Sequence, residues 1–238
     1  DSDERASMDM ELGWSTRLEE ALRSDGFVLS YQPIVPLADF GEHGASSPTR
    51  LEPYFEVLLR LRDAQGRLLA PDAFLPTAER FGMMLDIDRW VMQASLELIR
   101  NRRAEGRPLR LFVTQSALTL ADPSQAAWLK AELRTHDVPG SSLVIELRLE
   151  DAAVHAATVQ QFCSAMVDDG VQFCLSQFES GPSIDGLFDQ LPLSYVKPAR
   201  KYTASALSPS LRDELKVLID RAHRRGQTEV REHGVARE

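Results

Sequence analysis

Short apolar runs alternate with helical patterns along most of the chain, and this alternation is the feature that most constrains the fold. Runs rich in β-branched and aromatic residues predict strands at 27–35, 54–61, 109–114, 143–147, 172–175 and 195–197. Helical spacing predicts helices at 71–80, 87–105, 123–135, 151–169, 183–190 and 210–225. Strands that alternate with helices favour parallel βα units over a sandwich. We therefore expect an α/β protein of the (βα)8, TIM-like barrel type.

The length fits one such barrel with a short extension. The chain has 238 residues, and a single α/β barrel occupies roughly 250. Residues 10–24 have helical spacing that stops at Asp25-Gly26, so we expect a linker helix over 1–26 that follows a missing upstream domain. The barrel then spans 27–238. Its C-terminal strands look incomplete, because a closed barrel needs about eight strands and the tail 226–238 is too short and too charged to supply the rest.

Composition excludes several classes of function. Hydrophobic residues make up 43% and charged residues 26% of the chain, which is typical of a globular protein. The net charge of -9 argues against DNA or RNA as a partner, because such binding needs a basic face. No apolar run approaches the roughly 18 residues that membrane insertion requires. Cys163 and Cys174 suit neither a disulfide framework nor a metal site, so we expect buried thiols and a cytoplasmic protein.

In βα barrels the functional groups lie where the strands end. The polar residues at these predicted positions are Gln32, Glu56, Arg60, Thr114, Glu146, Ser176, Gln177 and Lys197. They are the first candidates for a site.

Five short motifs follow one another in a particular order. They are YQPIV at 31–35, EVLLR at 56–60, PDAF with AE at 71–79, DRWV at 88–91, and the segment around Phe178 together with Lys197. In this order they resemble the EAL family of cyclic-di-GMP phosphodiesterases. The resemblance implies a barrel that binds cyclic-di-GMP and, when its residues are intact, hydrolyses one phosphodiester bond with two divalent metals.

Several positions depart from the family pattern. Glu56 is retained, and Glu146 stands at the next expected glutamate. Neutral residues replace an asparagine, an Asp pair, a second glutamate and a further aspartate of the family; they are Thr114, Ser176, Gln177, Leu149 and Ala199. Divalent-metal affinity depends on ligand charge, so the resemblance predicts no bound metal, no required cofactor, and hydrolysis that is absent or vestigial. Glu56 and Glu146 would be remnants of the metal site.

Binding of the nucleotide requires fewer residues than hydrolysis. On the family pattern, Arg60 would contact a phosphate, Leu58 would pack against a base and Gln32 would hydrogen-bond the ligand. Further candidates for ligand contact are Glu56, Asp88, Phe178 and Lys197. Each has a simpler alternative: Glu56 could merely pair with Lys197, Arg60 could form a surface salt bridge, Gln32 could be an ordinary strand-end residue, and Phe178 could belong to the core.

The EVLLR form, the long loop after the first strand and the replaced Asp pair most resemble the FimX-type regulators of type IV pili. This narrower resemblance implies a cyclic-di-GMP receptor, not an enzyme, that signals through a PilZ-domain adaptor protein. Two alternatives stay open. One is a weak metal-dependent phosphodiesterase that uses Glu56 and Glu146, and the other is a protein-interaction scaffold that binds no nucleotide.

Overall fold

The computed structural model describes most of the chain. The described residues are 2–24, 26–36, 52–179, 181, 186–187, 190–202, 208–224, 226 and 228–232. Most of the predicted loop at 36–53 and of the predicted helix at 183–190 lies outside these residues, as does the end of the tail. Among the helices that are described, none is both long enough and apolar enough to cross a bilayer.

All six predicted strands are present, with small differences at their ends. The strands are β1 (Phe27–Pro36), β2 (Tyr54–Arg62), β3 (Leu68–Leu69), β4 (Arg110–Thr114), β5 (Leu143–Arg148), β6 (Gln172–Phe178), β7 (Tyr195–Pro198) and β8 (Thr228–Glu232). The helices are α1 (Ser2–Arg23), α2 (Leu75–Arg80), α3 (Met84–Ala104), α4 (Ala117–Leu120), α5 (Gln125–Thr135), α6 (Leu149–Val154), α7 (Ala156–Val167) and α8 (Pro209–Arg224).

The strands close into a ring. Its order is β1, β8, β7, β6, β5, β4 and β2, and β2 pairs again with β1, while the two-residue β3 lies beside β2. Strands β2, β4, β5, β6, β7 and β8 each run parallel to the next in this series. Strand β1 runs antiparallel to both β2 and β8. The TIM-like barrel is therefore confirmed, with seven strands in the ring among the described residues.

The expectation that the tail could not complete the barrel was wrong. Residues Thr228–Glu232 form β8, which pairs with β7 on one side and with β1 on the other. Their sequence, TEVRE, has no apolar alternation and so gave no strand signal. Pairing with β7 and β1 satisfies main-chain hydrogen-bonding groups of this segment on both of its sides. The boundary at residue 26 stays a prediction.

Helix α1 lies against the barrel. Leu18 and Ala21 are buried, and the Arg17 guanidinium donates to the carbonyl of Arg62 over 3.2 Å. Gly26 makes the close approach possible, since a Cβ at this position would lie 2.6 Å from the Cβ of Ala21. The predicted linker helix is thus packed on the fold over its last turns.

Side chains on alternate positions of the strands separate into two layers, as the period of two requires. The layer between strands and helices is the main core. The inside of the ring holds a smaller group, which we call the inner cluster: Ile34, Phe112, Val144, Cys174 and Tyr195, with Tyr54 packed against it. The buried thiols predicted for Cys163 and Cys174 are confirmed.

Gly140 supports the turn that leads into β5. A Cβ at Gly140 would lie 2.1 Å from the carbonyl oxygen of Asp169, which is main chain and cannot rotate away. We expect Gly140→Ala to lower the free energy of unfolding by about 2 kcal/mol through overpacking, measured by urea denaturation. Gly13→Ala is the control, because nothing lies within 4 Å of that position in α1 and alanine favours helix. Equal stability of the two variants would contradict the prediction.

Candidate ligand-binding site

A buried lysine lies between two buried glutamates at the carboxyl end of the barrel. The Lys197 ammonium is 2.7 Å from Glu56 Oε1 and 2.9 Å from Glu146 Oε2. Lys197 and Glu56 are each 6% exposed and Glu146 is 4% exposed. The three side chains, called here the Lys197 triad, come from β7, β2 and β5. The alternative that Glu56 pairs with Lys197 is thus confirmed, while the pairing with Glu146 was not foreseen.

The period of two places the Lys197 triad directly above the inner cluster. Each of its members follows an inward-facing aromatic or apolar residue by two positions, in the pairs Tyr54 and Glu56, Val144 and Glu146, and Tyr195 and Lys197. By the same spacing Thr114 follows Phe112 and Ser176 follows Cys174. These five polar residues form the upper layer of the barrel interior. The pattern follows from strand parity, because adjacent strands turn equivalent positions to the same side.

Electrostatics favour the charged form of Lys197. Burial alone would lower the pKa of this lysine, but Glu146 and Glu56 outweigh burial and raise it well above its ordinary value. Two carboxylates and one ammonium leave the triad with one formal negative charge.

The upper layer does not fit a pair of divalent cations. Such a pair needs several carboxylate oxygens that are available for coordination. Here one oxygen of each glutamate is bound to the Lys197 ammonium, and the neighbouring positions hold the hydroxyls of Thr114 and Ser176. Within the described residues no group of three or more histidine, cysteine, aspartate or glutamate side chains could hold a metal ion.

Strands β1 and β2 bring four of the predicted ligand residues onto one face. Gln32 pairs with Glu56, and Leu58 and Arg60 follow on the same side of β2 at alternate positions. The pairing of β2 with β4 ends at Glu56, whereas its pairing with β1 continues, so this ribbon extends beyond the ring. From Glu56 to Arg60 the strand rises roughly 13 Å. The face is long enough for a dinucleotide.

Arg60 is half-buried on this ribbon. Its Nη1 donates to the carbonyl oxygen of Leu59 over 2.8 Å. Among the described residues it forms no salt bridge, which argues against the surface-pair alternative. The guanidinium therefore keeps donors available for an anion.

Asp88 does not face the opening. Its side chain, on α3, is 6% exposed, and Oδ2 accepts hydrogen bonds from the backbone nitrogen of Ser116 at 2.9 Å and from the hydroxyl of Thr119 at 2.6 Å. Ser116 in turn caps α4 by accepting from the nitrogen of Leu118. Asp88 thus fixes the loop after β4, and the prediction that it contacts the ligand directly is not supported by this placement.

Burial raises the pKa of Asp88 to about 6, against the opposing hydrogen bonds from Thr119 and Ser116. The folded protein therefore holds this proton more tightly than the unfolded chain. The contribution of Asp88 to the free energy of unfolding is therefore fully present below about pH 4. It is lost as the pH rises from about 4 to 6. We expect the unfolding free energy of the parent, minus that of Asp88→Asn, to fall by about 2 kcal/mol between pH 4 and pH 7.

Urea denaturation of both proteins at several pH values measures this difference. Asp86→Asn is the matched control, because Asp86 is exposed on the same helix. A difference that rises with pH would contradict the assignment.

Phe178 belongs to the main core because β6 contains a bulge. The pairing with β7 runs from Leu175 opposite Val196 to Phe178 opposite Pro198, so β6 has one extra residue. The extra residue reverses the parity, and Phe178 turns outward to the helices, where it is 1% exposed. The core alternative is supported, and the prediction that Phe178 stacks on a ligand is not. The two consecutive polar residues between Leu175 and Phe178 interrupt the alternation of the strand and are the sign of this bulge in the sequence.

The sequence profile of the EAL domain family matches residues 15–233. The chain belongs to the EAL domain family. This EAL domain is similar to the solved FimX EAL domain of Pseudomonas aeruginosa bound to c-di-GMP, at 27% identity and a TM-score of 0.80, with 91% of this chain and 83% of that chain covered. It is also similar to the FimX EAL domain of Xanthomonas citri in complex with c-diGMP, at 26% identity, a TM-score of 0.83 and coverage of 94% and 84%.

Curated relatives include enzymes. Cyclic di-GMP phosphodiesterase PdeB of Shewanella oneidensis is 27% identical over 184 residues, which are 77% of this chain and 20% of PdeB. Cyclic di-GMP phosphodiesterase PdeF of Escherichia coli is 26% identical over 165 residues, or 69% of this chain and 20% of PdeF. The chain thus spans about a fifth of the length of these relatives. The family includes proteins named as phosphodiesterases and domains solved with the nucleotide bound.

Proposed function

We propose that this EAL domain is a receptor that binds cyclic-di-GMP at the carboxyl end of the barrel and does not hydrolyse it. The observation that carries the proposal is the set of neutral side chains, Thr114 and Ser176, that lie beside the two glutamates in the upper layer of the barrel interior. One oxygen of each glutamate is also bound to the Lys197 ammonium. So few carboxylate oxygens available for coordination argue against two-metal hydrolysis, while the ribbon of β1 and β2 offers a face suited to a nucleotide.

The ribbon of β1 and β2 supplies the contacts. Arg60 offers a planar set of donors for a phosphate, Leu58 offers an apolar surface for a purine, and the Gln32 amide offers a hydrogen bond. Glu56 and Lys197 form the floor beneath them. The likeness to two FimX EAL domains solved with the nucleotide supports this ligand, and no cofactor is part of the proposal.

Calorimetric titration with cyclic-di-GMP, followed by analysis of the nucleotide in the same sample, tests the proposal. We expect saturable heat with EDTA as well as with magnesium or manganese, and recovery of the nucleotide in its cyclic form. A linear dinucleotide that forms only with metal would favour the alternative of a weak phosphodiesterase that uses Glu56 and Glu146. The phosphodiesterases among the relatives give this alternative its support.

Absence of heat and of any thermal shift at millimolar nucleotide would favour the other alternative, a scaffold that acts through protein contacts alone. The three outcomes are distinct, because they differ in binding, in turnover and in metal dependence.

A protein partner would carry the signal onward. By likeness to FimX we propose a PilZ-domain adaptor, a role in type IV pilus regulation and a cytoplasmic location, with neither DNA nor RNA as a partner. The acidic net charge of -9 supports the last point. Gel filtration of this EAL domain with a PilZ-domain protein, with and without cyclic-di-GMP, tests the pairing; elution as separate species under both conditions would contradict it.

A further inference from the structure

The bulge in β6 lies opposite Lys197. Leu175 faces Val196 and Phe178 faces Pro198, so the two residues Ser176 and Gln177 stand opposite the single residue Lys197. Leu175 and Phe178 both point to the main core. The two residues between them therefore lie on the inner side of the barrel, next to the Lys197 triad. Bulges commonly redirect a side chain beside a functional site.

Ser176 and Gln177 differ in how the protein uses them. Ser176 is 1% exposed, and its hydroxyl donates to the carbonyl oxygen of Leu147 over 3.3 Å. Gln177 is partly exposed, and within the described part of the chain its amide makes no hydrogen bond. The Ser176 hydroxyl thus has a hydrogen-bond partner within the barrel, whereas the side-chain amide of Gln177 is available to a ligand.

Gln177 also has a strained backbone. Its φ is 55°, in the left-handed region, which costs a residue with a Cβ roughly 1 kcal/mol and suits glycine better. Strain of this kind is concentrated at ligand sites, where the surrounding structure maintains it. The chain thus has glutamine, with its side-chain amide, at a position whose backbone conformation would suit glycine better.

The charge of the site favours a neutral donor at this position. The Lys197 triad carries one formal negative charge, which repels an incoming phosphate. A carboxylate beside it would add to the repulsion, whereas an amide N–H can donate to the anion without adding charge. We propose that Gln177 is a ligand-contacting residue whose amide donates to a phosphate oxygen of the bound cyclic dinucleotide. This inference rests on the proposed function and adds a contact from β6, across the barrel opening from the β1 and β2 ribbon.

Three substitutions test the contact by calorimetry with cyclic-di-GMP in EDTA, each paired with urea denaturation of the free protein. Gln177→Ala should weaken binding about ten-fold through loss of a hydrogen bond to a charged group. Gln177→Glu, of nearly the same shape, should weaken it further, because it places a second negative charge near the phosphate. Gln177→Gly should weaken binding as much as alanine does, yet raise the urea midpoint because the strain is relieved.

The opposite signs of stability and affinity in Gln177→Gly separate ligand contact from a structural role. Gln93→Ala, an exposed glutamine on α3, is the control and should bind as the parent does. If the parent binds and all three Gln177 variants match its affinity, the inference is overturned while the proposed function stands. If Gln177→Gly loses stability and affinity together, the role is structural and the inference is again overturned. Failure of the parent to bind would overturn both.

Discussion

Replacement of Lys197 by methionine is expected to lower the free energy of unfolding by about 3 to 5 kcal/mol, the range measured when one partner is removed from a buried ion pair. The methionine fills a similar volume, so the loss comes from charge. Without the ammonium, the carboxylates of Glu56 and Glu146 face each other in a buried layer with no cation between them. Urea denaturation at pH 7 measures the effect.

The matched control for Lys197→Met is Lys130→Met, because the Lys130 ammonium lies 2.7 Å from Asp169 at the surface, where both side chains are about a third exposed. That substitution should cost at most about 1 kcal/mol. The triple variant Glu56→Gln, Glu146→Gln, Lys197→Met should recover most of the stability, since it leaves no buried charge. Equal costs for the two lysine substitutions would contradict the role given to the triad.

Replacement of Arg60 by alanine is expected to weaken cyclic-di-GMP binding on the order of 100-fold, or about 3 kcal/mol, the contribution of two hydrogen bonds to a charged group. The free protein should keep its stability, because the Arg60 guanidinium donates only locally, to the carbonyl oxygen of the adjacent Leu59, among the described residues. The affinity of Arg60→Lys should lie between those of the parent and of Arg60→Ala, because an ammonium keeps the charge but lacks the planar set of donors of a guanidinium. Calorimetry in EDTA measures all three proteins.

Arg103→Ala is the control for Arg60, because it removes the same charge from an exposed position near the end of α3. This helix ends where the chain enters β4, at the other end of the barrel. Binding by Arg103→Ala should match the parent. Loss of affinity in both variants to the same extent would show a general charge effect and would contradict a specific contact by Arg60.

Much of the fold could be predicted from the sequence because the strands are apolar. β4 and β5, whose side chains are largely buried, are read directly as runs of leucine, valine, isoleucine and phenylalanine. β8 was missed because its segment, TEVRE, has no such run, and its pairing depends on partners far away in the chain. The pattern of apolar residues along the chain therefore does not predict a strand such as β8.

The site was predictable in part for a related reason. Alternation along β2 places Glu56, Leu58 and Arg60 on one face whatever the details of packing. The placements of Phe178 and Asp88 do not support the ligand contacts predicted for them, because a motif gives position along the chain and not orientation. A single added residue in β6 reversed the direction of Phe178, and the hydrogen bonds from Ser116 and Thr119 turned Asp88 inward. Both effects depend on tertiary neighbours.

The pairing of β1 with β8 has a consequence for folding kinetics. It joins Ile34 to Glu232, so closure of the barrel brings together two strands that are far apart along the chain. Contacts between such distant segments raise the contact order, and the loop entropy must be lost before they form. The β1 and β2 hairpin can form early during synthesis, but the pairing of β1 with β8 requires residues 228–232. We expect formation of this pairing to be slow relative to formation of the hairpin.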